Sequence, residues 1–195
     1  MNSYIKKALM DRIEIYKNLV CDEIFLNSIN EAYKSVKSVL QNNSKLMICG
    51  NGGSASDSQH IAAEFVVKLA KRRIPLAAIS LTSDNSVLTA IGNDFTYDLI
   101  FERQVKAVGL EGDALIGLTS SGNSSNIVKA FKAAKTLGIT TIVFTGKGLS
   151  PAAKESDIHI SFNIDNTQII QELYMACLHS ICEKIEGLYE ESHIC

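Results

Sequence analysis

From residue 46 onward, short apolar runs alternate with amphipathic segments, and this alternation restricts the fold more than any other feature of the chain. The runs are Leu46-Met47-Ile48-Cys49, Leu76-Ala77-Ala78-Ile79, Ala114-Leu115-Ile116-Gly117-Leu118, Thr141-Ile142-Val143-Phe144 and Ile158-His159-Ile160-Ser161-Phe162. Strands that are apolar on both faces suit a parallel sheet covered by helices on each side. Helical periodicity predicts helices over 54–71, 85–92, 97–108, 124–137 and 167–190. The expected fold is therefore α/β, a five-stranded parallel sheet flanked by helices.

Ahead of this pattern, Ile5, Leu9, Ile13, Tyr16 and Leu19, then Ile24, Ile29, Val36 and Val39, recur at helical spacing. They predict two helices broken near 21–26, forming a helical N-terminal extension over residues 1–43. The extension is expected to add a layer, and to offer a subunit contact, within a single domain spanning 1–195. A chain of 195 residues is long enough for one well-buried core.

Charge and cysteine usage exclude several function classes. The net charge is -2, and the one basic cluster, Lys68 with Lys71-Arg72-Arg73, reads as a solvated helix end. A nucleic-acid groove needs a dense basic face, so no nucleic-acid partner is expected. No apolar run is long enough to span a bilayer, and the start leads into an amphipathic pattern rather than a signal region. The five cysteines, Cys21, Cys49, Cys177, Cys182 and Cys195, lack Cys-x-x-Cys spacing and suit a reducing compartment. The cytoplasm is the expected location. The tail Tyr189-Glu190-Glu191-Ser192-His193 is expected to be a frayed helix end, with His193 solvated.

Ligands of open parallel sheets sit beyond the carboxyl ends of the strands. The loop after the first run reads Cys49-Gly50-Asn51-Gly52-Gly53-Ser54-Ala55-Ser56, where glycines allow close backbone approach and Ser54 suits a helix cap. Gly50, Gly52 and Ala55 also satisfy the dinucleotide spacing. That reading requires an acidic residue closing the second strand, yet the strand ends Ile79-Ser80-Leu81-Thr82, with Asp84 placed late. The loop after the third run, Thr119-Ser120-Ser121-Gly122-Asn123-Ser124-Ser125-Asn126, sets several hydroxyls at a helix start. Together with the helix N–H groups they make an anion site that needs no lysine. A plain Ser-rich cap is the alternative for an isolated run, and two such loops weaken it.

His60 and Glu64 lie one turn apart on one helical face, a spacing that allows a shared metal ion. The last helix carries Gln168, Gln171, Glu172 and His179. Gln171 and His179 are separated by about 12 Å of helical rise, awkward for one small site on one helix. Either their side chains lean together or residues of different subunits meet, which points to an oligomer.

These motifs resemble the sugar isomerase (SIS) domain, and within it the phosphoheptose isomerases. The resemblance rests on residues 49–56, Gln59-His60-x-x-Ala63-Glu64, Ile91-Gly92-Asn93-Asp94, Thr119-Ser120-Ser121-Gly122-Asn123-Ser124, and Ile170-Gln171-Glu172 with His179. They occur in family order over nearly the whole chain. The resemblance implies an SIS-type doubly wound fold. It also implies conversion of D-sedoheptulose 7-phosphate to D-glycero-D-manno-heptose 7-phosphate, the entry step to bacterial surface heptose. It further implies one zinc ion per subunit on His60, Glu64, Gln171 and His179. Substrate contacts fall on Asn51, Gly52, Gly53, Glu64, Asn93, Asp94, Thr119, Ser120, Ser121, Ser124 and Gln171. A homotetramer with sites at subunit boundaries is implied as well. Two departures stand out: Lys68 and Ile169 occupy positions where family members commonly carry arginine.

Ketose–aldose exchange through an enediolate needs a base, an acid and something positive beside the developing oxygen. Glu64 is the candidate base and His179 the candidate acid. Two rivals remain at this point. One is a non-catalytic SIS protein that binds the replication initiator, and the other is an isomerase for a different sugar phosphate.

Overall fold

In the computed structural model of this chain, which describes residues 2–190, five strands form one parallel sheet. They are β1 (Leu46–Gly50), β2 (Ala78–Ser80), β3 (Ala114–Leu118), β4 (Thr140–Thr145) and β5 (Ile158–Ser161). The sheet order is β2-β1-β3-β4-β5, with every neighbouring pair parallel. This doubly wound order reverses direction between β1 and β3, the switch point at which such sheets leave a crevice. The helices among the described residues are α1 (Asn2–Val20), α2 (Glu23–Gln41), α3 (Gly53–Val66), α4 (Asn85–Asp94), α5 (Ile100–Val108), α6 (Ser125–Thr136), α7 (Pro151–Glu155) and α8 (Thr167–Glu186).

Alternation along each strand splits the core in two. Leu46, Ile48, Ala114, Ile116, Leu118, Ile142 and Phe144 face α2, α3 and α8. Met47, Cys49, Leu115 and Val143 face α4, α5, α6 and α7. Each fully buried Leu, Ile or Phe in these layers contributes about 1.5–3 kcal/mol by leaving water. Helix starts follow local side-chain chemistry: Asp22, Asp84, Ser150 and Asn166 each accept a backbone N–H from the first turn of α2, α4, α7 and α8. The late Asp84 is thus a helix cap, which removes the last support for a ribose-binding acid.

The predicted order of strands and helices holds, with local differences. The third predicted helix stops at Val66 instead of 71, because the chain turns there to enclose a buried carboxylate, described below. Residues 97–108 divide into a 3-10 turn, Tyr97–Leu99, and α5. The short α7 was not foreseen, although Ser150-Pro151 is a helix-opening pair. The last helix ends at Glu186, and Tyr189 and Glu190 dock back through an antiparallel bridge between Arg73 and Glu190. Residues 191–193 of the expected frayed tail lie outside the described residues, as does Cys195.

The extension packs unevenly. Phe25, Ala32, Val36, Val39 and Leu40 of α2 join the core. Along α1, Ile5, Leu9, Ile13 and Tyr16 stay exposed, and the helix is tied down by the Arg12 fork on Glu172, at 2.6 and 2.8 Å. That fork holds the Glu172 carboxyl below its usual range.

Gly117 decides how closely α6 approaches the sheet. A Cβ there would stand 2.7 Å from Phe131 Cζ and 3.0 Å from Ile127 Cγ2. Gly117→Ala is expected to destabilise the fold by about 1–3 kcal/mol through overpacking, measured by urea denaturation; an unchanged midpoint contradicts this account of the β3–α6 contact.

Candidate functional site

The loops after β1 and β3 meet at the switch point, and a mutual amide pair joins them. Asn51 Nδ2 donates to Asn126 Oδ1 at 3.0 Å, and Asn126 Nδ2 donates back to Asn51 Oδ1 at 2.8 Å. The Tyr97 hydroxyl adds a third bond to Asn51 Oδ1 at 2.9 Å. One residue on, the Asp98 carboxylate accepts from the Ser125 hydroxyl and from Lys129, which together hold its pKa below the usual value. The side chain of Asn51, a residue expected to touch substrate, thus braces the two loops.

Within the second loop, the buried Thr119 hydroxyl accepts from the Gly122 amide at 3.1 Å and shares a bond with Ser124 at 3.2 Å. Gly122 sits at φ +67 in the left-handed region, and a Cβ there would overlap the Ser150 hydroxyl. Ser124 opens α6 without a side-chain bond to the helix amides, so its hydroxyl stays on the loop side. The result is a polar pocket of about 310 Å³ lined by Ser120, Ser121, Asn123, Lys147, Asp165 and Thr167.

Lys147 also lines this pocket, beside the hydroxyls of the second loop. It follows β4, where the Gly146 amide donates to Ser120 O and the Lys147 amide donates to Ile164 O, both at 2.9 Å. Gly146 has no room for a side chain, since a Cβ would stand 2.6 Å from Ile164 O and 2.8 Å from Ser120 O. Thr167 closes the ring through its hydroxyl on Ser120 at 3.3 Å. Sequence reasoning missed Lys147, Asp165 and Thr167 because they come from separate segments; the third strand-end loop, after Phe144, was the available signal.

A second cluster lies between α3 and α8. His60 Nε2 and Glu64 Oε1 are 3.1 Å apart, one turn apart on α3 as the spacing predicted. His179 of α8 joins them, its ring centroid 5.1 Å from that of His60. One ligand atom from each of His60, Glu64 and His179 lies within 4.8 Å of the others. His179 Nε2 is buried and has no hydrogen-bond partner. An unpaired buried nitrogen costs free energy unless something accepts its lone pair or proton. Two imidazoles and a carboxylate are the donors that suit zinc, so the three residues fit that ion.

Gln171, the fourth expected donor, lies at the other end of the helix pair. A Cβ on Gly53 would stand 2.7 Å from Gln171 Nε2, which places the amide against the first loop. Nearby, the Tyr174 hydroxyl donates to Asp57 Oδ2 at 2.7 Å and shares a 2.8 Å bond with the Ser54 hydroxyl. Burial pushes the Tyr174 hydroxyl far above its usual pKa, keeping it a donor. Gly52 is exposed on this loop at φ +60.

Asn93 and Asp94 are not brought to the polar pocket. Asn93 Nδ2 donates to Asp94 Oδ1 at 2.8 Å, and Asp94 lines a separate cleft of about 600 Å³ beside β2, α4 and α5. Of the two departures, Lys68 is exposed just past α3, while Ile169 is buried in the core, so packing there replaces a guanidinium.

The SIS domain family matches residues 19–146. The chain is 44% identical over 186 residues to the phosphoheptose isomerase of Clostridium acetobutylicum, covering 95% of each. Among solved structures it is similar to phosphoheptose isomerase GmhA from Neisseria gonorrhoeae, with a TM-score of 0.88 and 34% identity over 95% of this chain and 98% of that one. A phosphoheptose isomerase from Francisella tularensis gives a TM-score of 0.82 and 33% identity, covering 95% and 96%.

Zinc titration of the purified, metal-stripped chain is expected to reveal a binding event that His179→Ala weakens by at least about tenfold, the scale of losing a group that tunes a metal site. Equal affinity in the variant, measured by calorimetry or chelator competition, would remove His179 from the donor set.

Proposed function

The chain belongs to the SIS-domain family and, within it, to the phosphoheptose isomerases, and from that membership we propose that it interconverts D-sedoheptulose 7-phosphate and D-glycero-D-manno-heptose 7-phosphate. The observation that carries the chemistry is the convergence of His60, Glu64 and His179, with a buried, unpartnered nitrogen on the last.

Glu64 is the base that takes the proton beside the carbonyl. Its two oxygens divide the work: one faces His60 at 3.1 Å on the side of the cluster, and the other is the one to take the proton. His179 is the acid that returns a proton to the neighbouring carbon. His60, Glu64, Gln171 and His179 would hold a zinc ion, whose positive charge would serve to polarise the sugar's carbonyl and adjacent hydroxyl. Thr119, Ser120, Ser121 and Ser124, with Lys147, hold the distal phosphate, and the remote contact places the reacting carbons. Lys147 acts there as a point charge. Gly52 and Gly53 let the first loop's backbone approach the sugar.

This site requires more than one copy of the chain. Thr167 stands at the phosphate pocket and His179 in the acid–base cluster, twelve positions along α8, or roughly 18 Å by helical rise. A seven-carbon phosphate does not bridge that span within one subunit. A neighbouring copy therefore supplies the pocket, and Gln171, to each His60–Glu64–His179 cluster. The same assembly brings Asn93 and Asp94 to the sugar and covers the apolar stripe on α1. A homotetramer fits these demands. Nothing in the site favours the initiator-binding rival, which needs no acid–base pair. No helix of the described residues is long and apolar enough to cross a membrane, and we place the enzyme in the cytoplasm, as one domain with residues 1–43 as its helical extension.

Glu64→Gln and His179→Ala are each expected to lower turnover of the heptose phosphates by at least about a hundredfold, the lower range for a lost general acid or base. Wild-type turnover in either variant rejects the assigned roles. Lys147→Met is expected to lower kcat/KM several-fold, through KM, kcat or both, because the phosphate contact also places the reacting carbons. Unchanged kcat and KM in the folded variant would place Lys147 outside phosphate binding. Chelator treatment should abolish turnover and added zinc restore it; full activity after verified zinc removal counts against the ion.

A further inference from the structure

Arg73 was expected at a solvated helix end, yet its side chain and that of Glu186 are both 0% exposed, with Arg73 Nε 3.6 Å from Glu186 Oε1. Glu186 is the last residue of α8 and accepts from three successive amides, Leu69 and Ala70 at 2.9 Å and Lys71 at 2.8 Å. Burial pushes the Glu186 carboxyl up, but those amides and Arg73 outweigh it and hold the group ionised, below its usual range. Arg73 in turn donates to the carbonyl of Ile74 at 2.8 Å and to the carbonyl of Glu64 at 2.6 Å.

The Glu64 carbonyl lies in the last turn of α3, where carbonyls lack partners within the helix. Arg73 satisfies it, so the backbone beneath the candidate base is held by a guanidinium. Glu186 lies seven positions past His179 on α8, so the same charge pair closes the end of the helix that carries the candidate acid. A buried ion pair is a costly way to close a turn, because apolar side chains of similar size are often neutral or better. Arg73 Nε is moreover left without a hydrogen-bond partner. What an apolar pair would not supply is a donor aimed at the Glu64 carbonyl.

Building on the isomerase reading above, we propose that Arg73 and Glu186 are positioning residues, a buried clamp that sets Glu64 of α3 against His179 of α8. Neither touches substrate. The clamp acts through the Glu64 backbone, which decides where the carboxylate meets His60 and His179. Residues behind metal ligands typically alter affinity or activity by about 10–100-fold when changed.

The test compares Arg73→Met, Glu186→Leu, the double variant and the milder Glu186→Gln with wild type. Four readouts are needed: thermal unfolding, zinc affinity by chelator competition, kcat and KM for sedoheptulose 7-phosphate, and imidazole 15N shifts of His60 and His179 in metal-free protein. The double variant is expected to recover most of the stability lost by the single changes. It should nevertheless bind zinc at least about tenfold more weakly and lose about tenfold in kcat, with KM within about twofold. If the pair only stabilises the turn, zinc affinity and kcat return together with stability, and that result overturns the clamp. Should the double variant not fold, Glu186→Gln decides: wild-type zinc affinity, kcat and imidazole shifts in that folded protein overturn it equally. A wild-type chain that neither binds zinc nor isomerises defeats the functional reading instead. The imidazole shifts still test the clamp in that case, since they report the geometry of His60 and His179 without metal or substrate, and unchanged shifts in folded variants reject it.

Discussion

A parallel sheet covered on both faces leaves one place for polar chemistry, the edge where its strands end. Here β1, β3 and β4 are wholly or almost wholly buried, and helices over each face close the lateral surfaces. Hydroxyls, amides and one lysine therefore gather at the carboxyl ends, beside the point where strand order reverses between β1 and β3. The loops there are held by contacts that tolerate little change. Asn51 and Asn126 exchange two amide bonds, Gly122 fits where a Cβ would strike Ser150, and Gly146 is closed in by Ser120 and Ile164. A polar pocket whose loops are held by protein contacts before any ligand arrives lowers the ordering cost of binding.

The second polar region depends on a different packing, that of α3 against α8. The two helices carry separate polar clusters at their two ends. At one end Tyr174, Asp57 and Ser54 form a hydrogen-bonded group beside Gln171; at the other His60, Glu64 and His179 converge above the Arg73–Glu186 pair. Both pairs of ends must stay in register for His60, Glu64 and His179 to keep their spacing. The length of α8 separates the pocket at Ser120 and Thr167 from the His60–Glu64–His179 cluster, and on that separation rests the proposal that more than one copy of the chain builds the site.

Parts of this were legible in the residues themselves. The His60–Glu64 pair lies one helical turn apart, and local geometry alone puts them on one face. The Gly-rich and Ser-rich loops after the first and third apolar runs were recognisable because turn and cap chemistry is local. Lys147 was not legible, since nothing near it in the chain marks it as a partner of Ser120; it reaches the pocket because β4 pairs with β3. Arg73 misled, because a basic cluster after a helix ordinarily faces water, and only the arrival of Glu186 from more than a hundred positions away makes a buried site for it. Asn51 shows a different limit: turn chemistry marks its loop, but the pairing of its amide with Asn126 depends on the fold.

Residue order alone determined the layers, the strand sequence and the family, because apolar periodicity and loop motifs depend on neighbours a few positions apart. Tertiary structure decided which polar groups meet. It set His179 beside His60 and Glu64, placed Lys147 at the polar pocket, sent Asp94 to another cleft and buried Arg73 against Glu186. The physical reason is that a charge or hydrogen-bonding group acquires its role from what surrounds it after water has been removed, and those surroundings are drawn from segments that packing, not spacing, brings together.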